Sequence, residues 1–179
     1  MDFIEEYTIN SLLCDDFIKY FNNHTEYKTQ GTIAGGKIDK SIKDSIDVVF
    51  YNNSNDVTIK TFFKSLQLYV RQYVKKYFNV GHNVHTCSDH LIKYYKKGSG
   101  YKALHYERES LYTARRQLVY TLYCNTLKNG GTEFPHQKKI IQAQKGKLII
   151  FPSDFTHLHK GVISDTQEKY IVTGWFEII

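Results

Sequence analysis

Two pairs of side chains that can bind a metal stand two residues apart in the second half of the chain. His105 and Glu107 form the first pair, and His157 and His159 form the second, directly after the apolar run Leu148–Pro152. Because alternate residues of a β-strand point to the same face, each pair would present its two side chains together. Two imidazoles and one carboxylate on facing strands can occupy three corners of a metal's octahedron and leave open positions, which suits Fe(II). By this geometry either His157 or His159 could be the third ligand.

Two further considerations narrow this hypothesis. Glu109 would lie about 14 Å from His105 along an extended strand, at about 3.4 Å per residue, so Glu107 is the candidate carboxylate. If the open metal positions bind a dicarboxylate co-substrate, its distal carboxylate needs a fixed cation deep in the barrel. The four arginines all precede residue 117, which leaves Lys169, ten residues after His159, as the candidate cation. A lysine at the end of a surface strand is the alternative for Lys169.

Apolar residues at helical spacing predict two helices in the first half of the chain. One helix is expected to begin at Asn10 or Ser11. A longer helix is expected over residues 57–78, after Asp56, and it is expected to end at Gly81. This longer helix would pack one face on a sheet.

Outside the two predicted helices, the chain is typical of loops and of a β-sheet. Residues 31–55 indicate a loop with short strands. After residue 84, runs rich in β-branched and aromatic residues alternate with turns, at 94–95, 118–124, 147–151 and 169–176. The sequence therefore predicts an α+β protein whose second half is a β-sandwich or barrel with an interior cavity.

The composition fits one domain, 1–179, with mainly helical support and substrate-side loops in residues 1–83 and a β-core that carries the metal site in residues 84–179. With 179 residues, 41% hydrophobic and 23% charged, the chain is neither disordered nor embedded in a membrane. The acidic N-terminus has no export leader, and three cysteines without metal-type spacing fit a reducing compartment, so we expect a cytoplasmic location. The net charge of +6 is scattered along the chain and identifies no partner.

Six motifs in a fixed order carry a resemblance to a known family. They are YxxGxxYxxxHxE at 95–107, RQLVYTLY at 116–123, NGGTEF at 129–134, FPSDFTHLHKG at 151–161, Lys169 and Trp175. From about residue 91 to 175, the chain resembles the prolyl 4-hydroxylase branch of the Fe(II)/2-oxoglutarate-dependent dioxygenases. The resemblance is to a short form like those that phages and other viruses encode. Glu107 stands where the family mostly has aspartate.

The resemblance implies a double-stranded β-helix (jelly-roll) core with N-terminal helices packed on one sheet. It implies His105, Glu107 and His159 as iron ligands, and it favours His159 over His157. It further implies that Lys169 pairs with the distal carboxylate of 2-oxoglutarate, with Tyr95 and Thr132 as hydrogen-bonding helpers. Tyr94 is the alternative to Tyr95.

The family also implies what the site would act on. Arg116 and Trp175 match positions near the peptide substrate, and residues 39–45 are similar to a basic-x-Ser stretch that folds over substrate, with an ordinary loop as the alternative. The expected reaction is hydroxylation of a prolyl residue by O2, coupled to oxidative decarboxylation of 2-oxoglutarate to succinate and CO2, and the resemblance also implies ascorbate as a cofactor. If the source is viral, the location would be the host cytoplasm.

Two alternatives remain at this point. The same chemistry could act on a free amino acid or another small substrate, or the chain could be a non-catalytic β-barrel binding module with structural histidines. A nucleic-acid substrate is disfavoured, because nucleic-acid demethylases of this fold class usually have arginines after the distal histidine and this chain has none.

Overall fold

The computed structural model describes residues 1–80 and 84–178. Helix α1 spans Ser11–Asn23, and the side chain of Asn10 accepts a hydrogen bond from the Leu12 amide at its N-terminus. Helix α2 spans Val57–Lys76, and Asp56 accepts from the Ile59 amide in the same way. Both predicted helices are thus confirmed; α2 ends two residues before the predicted limit, and Gly81 lies outside the described residues.

Eleven strands are found in the described part of the chain. They are β1 Glu5–Thr8, β2 Lys28–Gln30, β3 Ile46–Tyr51, β4 Val84–Thr86, β5 Asp89–Tyr95, β6 Arg116–Tyr123, β7 Gly131–Phe134, β8 Lys139–Gln142, β9 Lys147–Pro152, β10 Lys160–Val162 and β11 Lys169–Ile178. The major sheet has the order β1-β9-β6-β11-β5-β3-β2, with β4 also paired to β11. The minor sheet has the order β10-β7-β8, and every pairing in both sheets is antiparallel.

Alternate residues of the central strand β6 face two different cores. Tyr120 lies in the core between the major sheet and the helices, where its ring packs 5.6 Å from that of Phe62 on α2. Tyr123 points the other way, into the core between the two sheets, together with Phe134 and Phe151. The expected α+β architecture, with helices packed on one sheet, is confirmed. No helix in the described residues is long and apolar enough to cross a membrane.

The N-terminal part of the chain also builds the major sheet. Strand β1 pairs with β9, and β3 pairs with β5. The second pairing sets Asp47 directly opposite Lys93, which brings residues from far apart in the sequence to the mouth of the barrel.

Candidate metal centre and the cavities beside it

His105, Glu107 and His159 lie together at the open end of the barrel. One ligand atom from each of them lies within 4.8 Å of the others. His105 and His159 form an isolated β-bridge, in which each backbone amide donates to the carbonyl of the other at 2.9 Å. The Glu107 amide donates to the carbonyl of Ser153 at 2.9 Å. The expectation that regular facing strands carry these residues is wrong: His105 and His159 face each other across an isolated bridge outside the named strands, and a backbone hydrogen bond to Ser153 holds the Glu107 segment.

The two imidazoles are oriented by backbone carbonyls. Nδ1 of His105 lies 3.0 Å from the carbonyl of Ala103, and Nδ1 of His159 lies 2.8 Å from the carbonyl of His157. Because a carbonyl can only accept, Nδ1 donates in both rings, and each Nε2 keeps its lone pair. Both Nε2 atoms face the Glu107 carboxylate, at 3.6 Å and 3.9 Å from Oε1. Two lone pairs and a carboxylate oxygen converge, a donor set that fits Fe(II).

The charges around the cluster favour an ionised Glu107. Burial by itself would raise the pKa of this carboxyl, but the hydrogen bond and charge of His105 and the charge of His159, both in their protonated forms, together with the Lys93 ammonium outweigh it and hold the pKa well below its usual range. Its second oxygen accepts hydrogen bonds from Trp175 Nε1 at 3.1 Å and from Arg116 at 3.4 Å. Burial, together with the nearby His105 imidazole, lowers the pKa of His159 to about 4. At neutral pH the cluster therefore offers a neutral His159 and an anionic carboxylate, which are the forms that bind a metal.

His157 lies away from the cluster. It ends a short 3-10 helix, Phe155–His157. Its Nε2 lies 2.8 Å from the carbonyl of Asp2, and its Nδ1 lies 2.8 Å from the hydroxyl of Thr156. The expectation that His157 and His159 share a strand face is wrong, because the helical turn directs the buried His157 ring away from the cluster and both of its ring nitrogens are used.

A small chamber of about 50 Å³ lies between the cluster and the deep end of the barrel. Lys169 is 5% exposed, and its Nζ lies over the ring of Tyr95, 4.9 Å from the centroid, and donates to the carbonyl of Val162 at 3.2 Å. Burial lowers the pKa of Lys169 to about 8. The hydroxyls of Thr132 and Tyr123 lie 2.6 Å apart in the same wall.

Tyr94 is on the other face of β5. Its hydroxyl donates to Glu168 at 2.9 Å, outside the chamber. The Gly-Gly turn before Thr132 also has a steric reason, because Gly131 has φ +125° and a Cβ there would lie 1.9 Å from the Ile141 carbonyl oxygen. Of the three candidate helpers, Tyr95 and Thr132 line the chamber and Tyr94 does not.

An open cleft of about 910 Å³ adjoins the cluster on its other side. The Arg116 guanidinium lies 3.6 Å above the centre of the Trp175 ring, and both residues line this cleft. Tyr112 stands fully exposed at the rim. This Arg–Trp wall lies directly beside Glu107.

Sequence reasoning missed two features of these cavities. Tyr123 stands in the quoted strand motif without a role, although its hydroxyl reaches the chamber. Lys93 lies inside a largely apolar strand, where only its position two residues before Tyr95, on the same strand face, could have drawn attention to it. Of residues 39–45, Lys43 is the residue that lines the cleft, and it is buried and forms a 2.8 Å ion pair with Asp47, so it is a fixed part of the wall.

The sequence was also compared with known protein families. The model of the 2OG-Fe(II) oxygenase superfamily matches residues 90–177, the stretch that contains all three clustered side chains. The chain belongs to the 2OG-Fe(II) oxygenase superfamily. It is therefore an enzyme of the 2-oxoglutarate-dependent dioxygenase class, which uses Fe(II), 2-oxoglutarate and O2. No curated protein matches the chain at the level of sequence.

Several solved structures share the fold of this oxygenase. A prolyl 4-hydroxylase from Pseudomonas putida superposes with a TM-score of 0.75 at 14% identity, over 100% of this chain and 94% of that one. A Trichoplax adhaerens prolyl hydroxylase in complex with a hypoxia-inducible-factor peptide gives 0.75 at 12%, over 99% and 84%. The viral collagen prolyl hydroxylase of Paramecium bursaria Chlorella virus-1, as its 2OG complex, gives 0.71 at 17%, over 99% and 97%. The predicted jelly-roll core is confirmed.

Proposed function

We propose that this oxygenase hydroxylates prolyl residues of a peptide or protein. The observation that carries the proposal is the position of the His-Glu-His cluster between a small chamber with a buried lysine and a much larger cleft with an Arg–Trp wall. The chamber suits a small dicarboxylate, and the cleft suits a polypeptide. The fold likeness to prolyl hydroxylases, one of them with a bound peptide, supports the choice of substrate class.

In this proposal His105, Glu107 and His159 hold Fe(II). Bound iron supplies the coupled chemistry, in which 2-oxoglutarate is oxidatively decarboxylated to succinate and CO2 and the substrate gains a hydroxyl group. The carbonyls of Ala103 and His157 keep each Nε2 available as a ligand. The hydrogen bond from Trp175 fixes the orientation of the Glu107 carboxylate.

The chamber residues bind and orient the co-substrate. Lys169 pairs with its distal carboxylate, which compensates a buried ammonium whose partners among residues 1–80 and 84–178 are a carbonyl and an aromatic face. Tyr95 and Thr132 supply hydroxyl groups along the wall. On the other side, Arg116 and Trp175 contact the peptide and position the target residue over the metal.

The experiment that tests this assignment is anaerobic loading with Fe(II) and 2-oxoglutarate, followed by oxygen and measurement of succinate. The wild type should release succinate, the His159→Ala variant should not, and the His157→Ala variant should resemble the wild type. A collagen-like peptide should gain hydroxyproline, detected by mass spectrometry, while its Pro→Ala counterpart gains no oxygen. Equal succinate from all three proteins would refute the ligand assignment, and succinate without hydroxyproline would refute the substrate class.

Three finer properties belong to the same proposal on the strength of the resemblance. They are the use of ascorbate to keep the iron reduced, a viral or phage source, and a cytoplasmic setting. The cysteines Cys14, Cys87 and Cys124 are free and buried, which is consistent with a reducing compartment. Ascorbate should extend the linear phase of succinate release, and an unchanged time course would refute its use.

A further inference from the structure

Lys93 occupies the junction between the chamber and the cleft. It stands on β5 two residues before Tyr95, so both side chains point into the barrel. It is 7% exposed, and with Tyr101, His105 and Glu107 it lines both cavities. Its ammonium therefore lies beside the place where the reacting carbon of a substrate must sit.

The carboxylate that should neutralise Lys93 is already engaged. Asp47 lies directly opposite Lys93 in the β3–β5 pairing. One oxygen of Asp47 accepts from Lys43 at 2.8 Å and the other from the Ser45 hydroxyl at 2.7 Å. Within residues 1–80 and 84–178, Lys93 makes no ion pair and donates no side-chain hydrogen bond.

The other charges nearby do not supply a partner either. Glu107 is a metal-ligand candidate, and its second oxygen is occupied by Trp175 and Arg116. Four carboxylates line the cleft, Asp47, Asp89, Glu107 and Glu109, and within the described residues none of them forms an ion pair with Lys93. Lys93 is therefore the cation of this wall that the carboxylate of a ligand can still pair with. The distal carboxylate of 2-oxoglutarate has Lys169 at the other end of the chamber, which leaves Lys93 for the substrate.

We propose that Lys93 is a specificity-determining residue that binds a carboxylate of the substrate next to the hydroxylated residue. The inference deepens the proposed prolyl hydroxylation and rests on it. The carboxylate could be an acidic side chain that flanks the proline or the free α-carboxylate of proline itself, and the chemistry that Lys93 recognises is the same.

The test compares matched ligands that differ only in this charge. One pair of fluorescent peptides carries a single proline flanked on both sides by Glu or by Gln, and a second pair is L-proline and L-prolinamide. Peptide binding is measured by anisotropy on anaerobic protein loaded with Fe(II) and 2-oxoglutarate, and hydroxylation is measured by mass spectrometry for all four ligands. The proteins are wild type, Lys93→Met, Lys93→Arg and, as a control at an exposed lysine of a nearby turn, Lys97→Met.

The wild type should bind the Glu peptide about tenfold more tightly than the Gln peptide, as a charge-assisted hydrogen bond requires. Lys93→Met should lose this ratio, and Lys93→Arg and Lys97→Met should keep it. The KM for 2-oxoglutarate should not change in Lys93→Met. A preference for proline over prolinamide, without a preference between the peptides, would identify the α-carboxylate as the ligand.

Two kinds of failure can be told apart. If the wild type hydroxylates proline but prefers neither the Glu peptide over the Gln peptide nor L-proline over L-prolinamide, the role of Lys93 is refuted and the proposed function stands. This comparison needs no variant. The role of Lys93 would also be refuted if Lys93→Met kept the ligand preference. The same holds if Lys93→Met raised the KM for 2-oxoglutarate instead of changing the ligand preference. Lys93-dependent binding of the Glu peptide without any hydroxyproline would refute prolyl hydroxylation instead.

Discussion

Replacing Lys169 by Met should have opposite effects on stability and on co-substrate binding. A pKa lowered from 10.5 to about 8 by burial corresponds to about 3 kcal/mol of destabilisation at neutral pH, at about 1.4 kcal/mol per pKa unit. Methionine fills a similar volume without the charge, so the free energy of unfolding of the ligand-free protein should rise by up to about 3 kcal/mol. The same change should raise the KM for 2-oxoglutarate roughly ten- to hundredfold, because the distal carboxylate loses a charge-assisted partner.

The stability difference should depend on pH in a defined direction. Between about pH 8 and 10.5 the unfolded chain holds a proton on Lys169 that the folded chain has lost, so wild-type stability gains with rising pH across this window. The destabilisation is complete below pH 8 and absent above 10.5, where Lys169→Met and wild type should converge. Urea unfolding at pH 7 and pH 10.5 and succinate kinetics measure the two effects, with the exposed helix position Lys64→Met as control. A less stable variant with an unchanged KM would refute the reasoning.

Three further substitutions probe the same site. Glu107→Asp withdraws the carboxylate by one methylene, about 1.5 Å, and should lower Fe(II) affinity at least tenfold in a metal titration; higher activity would show that the longer side chain is strained. Trp175→Phe keeps a ring over Arg116 but removes the hydrogen bond to Glu107, and should weaken Fe(II) binding about 10- to 100-fold; unchanged affinity would contradict the orienting role. Thr132→Val removes one hydroxyl from the chamber and should raise the KM for 2-oxoglutarate up to about tenfold, with Fe(II) affinity unchanged as the internal control.

The sequence was sufficient where periodicity carries the information. The apolar spacing on α2 and the strand runs around Tyr120 and Val172 identify elements whose burial the structure confirms. Local hydrogen bonds explain the rest of this success, because Asn10 and Asp56 cap helices next to them in sequence. These signals lie within one element and need no knowledge of its neighbours.

Tertiary register could not be predicted in the same way. The pairing of β3 with β5 decides that Asp47 stands opposite Lys93, and a shift of one residue would remove this relation. The sequence could not decide between His157 and His159 as ligand for a related reason. Residues two apart point the same way on a strand, but the 3-10 turn at Phe155–His157 gives His157 and His159 different directions. The deciding contact, from His157 to the carbonyl of Asp2, spans 155 positions.

Strand β11 links the two cavities through the parity of its residues. Lys169 and Trp175 are six residues apart, an even number, so both point into the barrel, and Ile171 and Thr173 between them line the chamber. At about 3.4 Å per residue the two ends are separated by about 20 Å, which leaves room for a dicarboxylate, a metal and a substrate residue in succession. An insertion of one residue between them would turn either the lysine or the tryptophan out of the barrel. In the proposed function, this even spacing lets one strand hold co-substrate and substrate on opposite sides of one metal.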